Sequence, residues 1–460
     1  MSPTSTPIIN LSSGFPSPLL FPLQQFNQAT NTVLATPSIW HEGMIYGPDE
    51  GHFPLRKNIA RWLSRFYYPD QTTADESNKV AIGPERICIT GGASQNLACV
   101  LQVFTDPVFT RNVFVVEPAY FLSFRAFEDA GFAGRLMGVP EDEEGIDLWF
   151  LEQKLKEDEL SSRPDTQPFK PPRPYRKLYR HIIYCVPTFS NPSGRIMSLS
   201  RREALIRLAR KYDALIIADD VYDFVHFPTG TPSVDSPSPQ SKRIVPRLVD
   251  IDRTLDGGPI DAFGNCMSNG SFSKIVGPGC RVGWGEGTSA FAYGMSQVGS
   301  THSGGAPSHM TSTFINEMLE PSATEDSCAM TAHILHKLIP AYARRYTLLE
   351  SAMEQYLAPF GVSPAVENGY HVGGGFFLWL RLPPSLISTE VVAAARKDGV
   401  VIGDGSVSAL PEGNARCGTY EDMIRLCFAW VAEEELVEGV RILGQTIGRL
   451  VKGKGIAGEI

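Results

Sequence analysis

Short apolar runs alternate with longer amphipathic stretches along this chain, and nothing else in the sequence narrows its fold as much. Arg86 to Thr90, Val113 to Glu117, His181 to Val186 and Ala214 to Asp219 are each the length of a strand and largely apolar on both faces, whereas Leu199 to Tyr212 repeats its apolar positions at helical spacing. Strands apolar on both faces must be covered on both, as in a parallel sheet sandwiched between helices. The fold class expected is therefore α/β with a mostly parallel central sheet. At 460 residues the chain exceeds one ordinary domain. A large domain is expected over 45–335, with a smaller α/β C-terminal domain over 336–460 joined by the N-terminal segment 1–44. The boundary near 335 rests on a long helical pattern, Cys328 to Leu357, broken at Pro340, after which the composition restarts at Gly373-Gly374-Gly375-Phe376-Phe377. Two stretches rich in proline and charge, about 156–180 and 228–258, suggest surface insertions with no catalytic part.

A net charge of −9 without a basic cluster excludes a nucleic-acid or anionic-membrane footprint. The first residues lack a charged-then-apolar leader, and no run reaches the ~20 apolar residues of a membrane helix, so the cytoplasm is expected. Eight cysteines without regular spacing fit reduced core residues of an intracellular protein. No His-Glu-x-x-His and no Cys/His tetrad occurs, and no metal is expected.

Chemistry concentrates in Ser271-Phe272-Ser273-Lys274-Ile275-Val276-Gly277-Pro278-Gly279-Cys280-Arg281. A lysine amine can form a Schiff base with a carbonyl, while hydroxyls and a guanidinium can hold a phosphate and glycines permit close backbone approach. Together these suit a cofactor bearing an aldehyde and a phosphate.

In an open parallel sheet, ligands sit outside the carboxyl ends of the strands. The first strand leads into Thr90-Gly91-Gly92-Ala93-Ser94-Gln95, a small-residue opening of a helix whose free N–H groups form an anion site. The second leads to Glu117-Pro118-Ala119-Tyr120, where a tyrosine either stacks on a planar heterocycle or is simply half-buried. After the third comes Pro187-Thr188-Phe189-Ser190-Asn191-Pro192-Ser193-Gly194, whose Asn191 amide can donate to a phenolate oxygen from a proline-fixed loop. The fourth ends in Asp219-Asp220-Val221-Tyr222. A buried aspartate there can keep a pyridine nitrogen protonated, although a lone Asp-Asp also suits a cation site or a helix cap.

The order of these segments resembles the fold-type I, pyridoxal 5′-phosphate (PLP) dependent aminotransferases of class I/II over nearly the whole chain. Leu11 to Pro16, Tyr46 to Gly51, Gly373 to Leu382 and Arg425-Leu426-Cys427-Phe428 extend the match. The resemblance implies that Lys274 forms the internal aldimine and then shuttles the Cα proton, with Asp219 as pyridinium partner and Tyr222 as a donor to the ring oxygen. It implies phosphate binding by Ser271, Ser273, Arg281, Gly92, Ala93 and Ser94. Tyr120 would stack on the ring and Asn191 would bind cofactor and substrate. Arg425 would clamp the substrate α-carboxylate, Gly14 would offer backbone to it, and Tyr46 would reach the phosphate of a neighbouring subunit in a homodimer. Arg425 as an ion pair within the small domain stays open.

Within the family, the lysine-to-arginine spacing and the Gly-Gly-x-Phe-x-Trp pattern resemble the branch of 2-aminoadipate and aromatic aminotransferases, and the insertions suggest a fungal-type member. Cys280 and Gly403-Asp404-Gly405-Ser406 depart from the usual pattern. The opening segment, expected to line the substrate pocket with Phe15, Leu19, Leu20 and Phe21, has no Lys or Arg before Arg56. Aromatic or bulky aliphatic L-amino acids are therefore favoured, with 2-aminoadipate still open. Transfer of the amino group to a 2-oxo acid is the first reading, and β-elimination such as C–S cleavage on the same fold is the alternative. A ligand-sensing module is disfavoured by the intact catalytic set and the lack of a DNA-binding segment ahead of it. Gly453 to Gly458 and Gly448 to Gly455 imitate nucleotide-binding loops but lack their context, suggesting a flexible tail.

Overall fold

Eight strands build the central sheet: β1 (Ile87–Thr90), β2 (Asn112–Glu117), β3 (Leu136–Asp142), β4 (Gly145–Ile146), β5 (His181–Cys185), β6 (Ala214–Asp219), β7 (Cys266–Ser271) and β8 (Gly283–Glu286). They lie in the order β1-β8-β7-β6-β5-β2-β3-β4. Strands β7, β6, β5, β2 and β3 run parallel; β8 is antiparallel to both neighbours and β4 folds back on β3. The computed structural model describes residues 8–68, 82–161, 167–229, 245–322, 327–366 and 372–457.

Alternation along the strands divides the core. Val113, Val115, Ile182, Tyr184, Leu215 and Ile217 pack into one apolar layer, and the intervening Phe114, Val116, Ile183, Cys185, Ile216 and Ala218 into another. Each strand thus needs apolar residues at every position, which is why β2 and β6 appear in the sequence as unbroken runs.

The helices that bear on the site are α1 (Leu23–Ala35), α2 (Pro37–Met44), α3 (Phe53–Tyr67), α4 (Ala93–Phe104), α5 (Leu199–Lys211), α6 (His309–Leu319), α7 (Ile339–Tyr356) and α8 (Glu433–Ala457). Helix α5 starts where the Ser198 hydroxyl accepts the Arg201 N–H at 3.2 Å and ends in Arg210 and Lys211, charges suited to its C-terminus. The break expected at Pro340 falls just ahead of it, as a wide turn over Ile334–Leu338. Proline has no N–H to donate and its ring crowds the carbonyl four residues back. Beyond α7, strands β9 (Ser363–Pro364), β10 (Phe377–Arg381), β11 (Gly403–Asp404) and β12 (Met423–Cys427) form an antiparallel sheet ordered β9-β10-β12-β11. Leu380, Ile424 and Leu426 of this sheet share a core with Leu349 of α7 and Leu436, Val440 and Leu443 of α8. Near the other end of the chain, Phe26 of α1 meets Phe314 of α6 edge-on at 5.9 Å.

Two expectations are corrected. The C-terminal glycines form no tail, because α8 continues through Gly448 and Gly453 to Ala457. A Cβ on Gly444 would lie 2.3 Å from the Tyr356 carbonyl oxygen, and one on Gly448 would lie 2.6 Å from the Phe360 ring. Close packing against the end of α7 outweighs the low helix propensity of glycine. Gly448→Leu is therefore expected to destabilise the protein by about 1–3 kcal/mol through overpacking, measured by urea denaturation. The second correction concerns 228–258, of which 230–244 lie outside the described residues, as do 162–166 of the other insertion. Residues 248–252 are buried, and Arg247 pairs with Asp250 at 2.8 and 2.9 Å and with Glu286 of β8 at 2.8 Å. Arg253 closes the ring to the same two acids at 2.8 and 2.6 Å. Charges that satisfy one another can be buried, whereas composition counts each as solvent-facing.

Candidate active site

At the carboxyl ends of the parallel strands lies a cavity of about 390 Å³. Ala93, Ser94, Tyr120, Asn191, Asp219, Tyr222, Ser271, Ser273, Lys274 and Arg281 all line it, joined by Gly14 and Arg425 from the ends of the chain. The convergence follows from topology, since parallel neighbours present the same ends to one edge.

Strand β6 ends at Asp219, in register with Asn269 of β7. The Tyr184 hydroxyl donates to Asp219 Oδ2 at 2.8 Å, while Oδ1 is buried without a partner. Burial raises this carboxyl to a pKa of about 6, against the Tyr184 hydrogen bond and the Lys274 charge. A buried acceptor oxygen without a donor costs about 1–3 kcal/mol, a cost removed when a ligand N–H meets it. The pyridine N–H of PLP is such a donor, and the cavity also offers an amine and an anion cradle, so the residues present fit that cofactor.

Lys274 ends a turn that follows β7 directly, where Ser271 Oγ accepts the Ser273 N–H at 3.1 Å. Its Nζ donates to the Gly14 carbonyl at 2.8 Å and lies 5.1 and 5.5 Å from the ring centres of Phe376 and Tyr222. Burial lowers its pKa to about 8, opposed by Cys427 and Asp219 and assisted by the Arg425 charge.

The anion cradle forms where α4 begins. Ala93 and Ser94 of its first turn, where N–H groups lack helical partners, line the same cavity as Arg281 and the Ser271 and Ser273 hydroxyls, which lie 2.9 Å apart. Gly92, at φ +104°, caps this helix, and a Cβ there would come within 3.0 Å of the Arg281 guanidinium. Glycine is therefore required for both conformation and closeness.

Arg425 of β12 donates to Asn191 Oδ1 at 2.8 Å and to the Ser12 carbonyl at 3.0 Å, with its guanidinium carbon 4.0 Å from the Phe377 ring centre. Its Nε is buried without a partner, and it makes no ion pair among the described residues. Asp220, beside Asp219, instead accepts from Ser268 at 2.5 Å inside the core.

Tyr46 is 87% exposed and does not line the cavity of its own chain. Two features depart from the sequence reading. Of the four apolar residues expected to form the substrate wall, only Phe15 lines the cavity; Leu20 belongs to the core, Leu19 is exposed, and Phe21 lines an adjoining groove. A short turn over Pro18–Leu20 turns successive side chains in different directions, which composition alone does not reveal. Tyr184 was overlooked, although a tyrosine inside an otherwise apolar strand must find a partner for its hydroxyl.

The geometry accords with what the chain is similar to. The family model "Aminotransferase class I and II" matches residues 6–443. An uncharacterized Saccharomyces cerevisiae protein, YER152C, is 33% identical over 450 residues, covering 95% of this chain and 96% of that protein. Aromatic-amino-acid aminotransferase 1 of Thermococcus litoralis is 26% identical over 449 residues, covering 97% and 89%. Among solved structures, the Pyrococcus horikoshii kynurenine aminotransferase, in complex with PMP, KYN and KYA, superposes with a TM-score of 0.73 at 25% identity, covering 97% of this chain and 92% of that one. The chain belongs to the class I and II aminotransferase family. It is a fold-type I, PLP-dependent transaminase that acts on amino and 2-oxo acids.

Proposed function

We propose that this aminotransferase takes aromatic or bulky aliphatic L-amino acids as amino donors. The observation that carries the reading is the placement of charge. The cationic side chains lining the cavity are Lys274, Arg281 and Arg425, each with a task at the cofactor or the α-carboxylate. Past Phe15 and Pro278 opens a groove of about 470 Å³ lined by apolar residues including Phe21, Phe26, Val276 and Trp430. A distal carboxylate would find no partner there, whereas an apolar side chain would leave water.

When bound, PLP supplies an aldehyde and an electron-withdrawing ring able to accept the electron pair of the substrate Cα–H bond. Asp219 Oδ1 would hold the proton on the ring nitrogen, and Tyr184 keeps that carboxylate in place. Tyr222 and the Asn191 amide would donate to the ring oxygen, and Tyr120 would supply a ring to stack on it. Ser271, Ser273, Arg281 and the N–H groups of Gly92, Ala93 and Ser94 would bind the phosphate. Arg425 holds the α-carboxylate through two parallel hydrogen bonds, with the backbone near Gly14 beside it, which orients Cα toward Lys274. The Lys274 amine takes the Cα proton and returns it on the other side of the exchange, a task suited to a pKa near neutrality.

An exposed Tyr46 supports a homodimer in which this residue completes the neighbouring subunit's phosphate site. Eight free thiols support the cytoplasm as location, and no helix among the described residues is long and apolar enough to cross a membrane. The separate sheets ahead of and beyond α7 support a division near 335 into large and small domains.

The test is a ranking of single amino acids by the rate at which each converts the bound cofactor to its amine form. Phenylalanine, tyrosine and leucine are expected to exceed 2-aminoadipate and aspartate; the opposite order overturns the substrate assignment, and release of pyruvate with ammonia would point to elimination. In Phe15→Arg, kcat/KM for 2-aminoadipate relative to phenylalanine is expected to rise about tenfold, the effect of one partly screened ion pair.

A further inference from the structure

Three polar side chains unrelated to the cavity converge where the N-terminal helices meet the large sheet. Glu42 stands in the last turn of α2, His52 immediately precedes α3, and His309 opens α6. One ligand atom from each lies within 4.8 Å of the others, and this is the only such group of three among the described residues. His52 Nδ1 is 3.4 Å from Glu42 Oε1, and the two imidazole rings meet edge-on with centres 5.6 Å apart.

The nitrogens are the unusual feature. His52 is 3% exposed, and its Nδ1 has only the long 3.4 Å approach to Glu42; both ring nitrogens of His309 are buried and unpartnered. Buried nitrogens so poorly satisfied beside one carboxylate are costly unless something satisfies them together. The Gly47 backbone packs closely on the His309 ring: a Cβ there would lie 2.5 to 2.8 Å from three of its atoms. Burial lowers the His52 pKa, opposed by Glu42 and assisted by His309.

We propose that Glu42, His52 and His309 form a binding site for a divalent transition-metal cation, zinc by donor type. Two imidazoles and one carboxylate suit zinc, at roughly 2.0–2.2 Å per bond, with water as a fourth ligand. Glu42 is 51% exposed, which opens an entry path and leaves its carboxylate free to rotate inward and close the site. The bound ion ties α2 and the start of α3 to α6. Sequence spacing conceals this site because the three ligands come from separate elements.

The experiment uses chelator-treated holoenzyme titrated with cobalt(II) chloride, followed at wavelengths beyond the cofactor band, and then with zinc chloride. One cobalt ion per chain is expected, with the visible absorption of a four-coordinate site that zinc abolishes by displacement. Glu42→Gln and His309→Gln are each expected to weaken binding about 100-fold while retaining cofactor content and transamination, which shows the variants to be folded. A wild-type protein that binds neither ion, or either variant binding as tightly as wild type, overturns the proposal; neither result bears on the aminotransferase reading.

Discussion

Lys274→Ala is expected to lower kcat for transamination on the order of 10⁴-fold or more, the loss of a positioned acid–base group together with the amine that attaches the cofactor. Lys274→Arg should be as inactive, since a guanidinium stays protonated and cannot accept the Cα proton. Partial recovery with added methylamine would identify proton transfer as the missing step. Retention of more than a hundredth of wild-type activity by Lys274→Ala would remove this residue from its role. The same amine has a pH signature in the cofactor-free protein. Its folded pKa, about 8, lies below the ordinary lysine value of 10.5, so between those limits the unfolded chain binds more protons than the folded one. Stability should rise with pH across that window, and below pH 8 the cost of burying the cation is felt in full. Lys274→Met should flatten the rise, as measured by urea midpoints across the window.

Asp219→Asn is expected to lower kcat by about 10²–10³-fold with KM little changed, because an amide keeps the shape but not the charge that holds a proton on the ring nitrogen. The orphaned Oδ1 explains why the effect is electrostatic and local. Stopped-flow measurement with phenylalanine separates this from a binding defect. A rate within threefold of wild type would show that another group holds that proton. Tyr184→Phe, which removes only the orienting hydrogen bond to Oδ2, should produce the same change at smaller amplitude.

These residues were legible in the sequence because strand ends are. Asp219 and Glu117 terminate runs in which every residue is buried, and a parallel sheet sends such ends to one side. Lys274 was legible through its serines and glycines, whose spacing serves phosphate binding more than folding. What escaped notice depended on distant partners. The Arg247 and Arg253 ring looked like a solvated stretch because its neutralising Glu286 lies on another strand. Gly448 looked like part of a tail because its helix is held by packing, here against Phe360, rather than by propensity. Tyr184 carried a signal, a hydroxyl in an apolar strand, but its recipient Asp219 is one strand over.

The Ser12 carbonyl already takes a hydrogen bond from Arg425, the group that the substrate carboxylate requires. The chain therefore holds its own rival for the site. An incoming amino acid gains only the difference between its carboxylate and a peptide oxygen as hydrogen-bond acceptor, and the opening strand must yield as it enters. Because Ile9 and Asn10 pair with Val400 and Val401, that yielding is passed to a segment outside the cavity wall, and affinity becomes adjustable from there. Selection can then retune which amino acids are accepted without altering a residue that performs the chemistry.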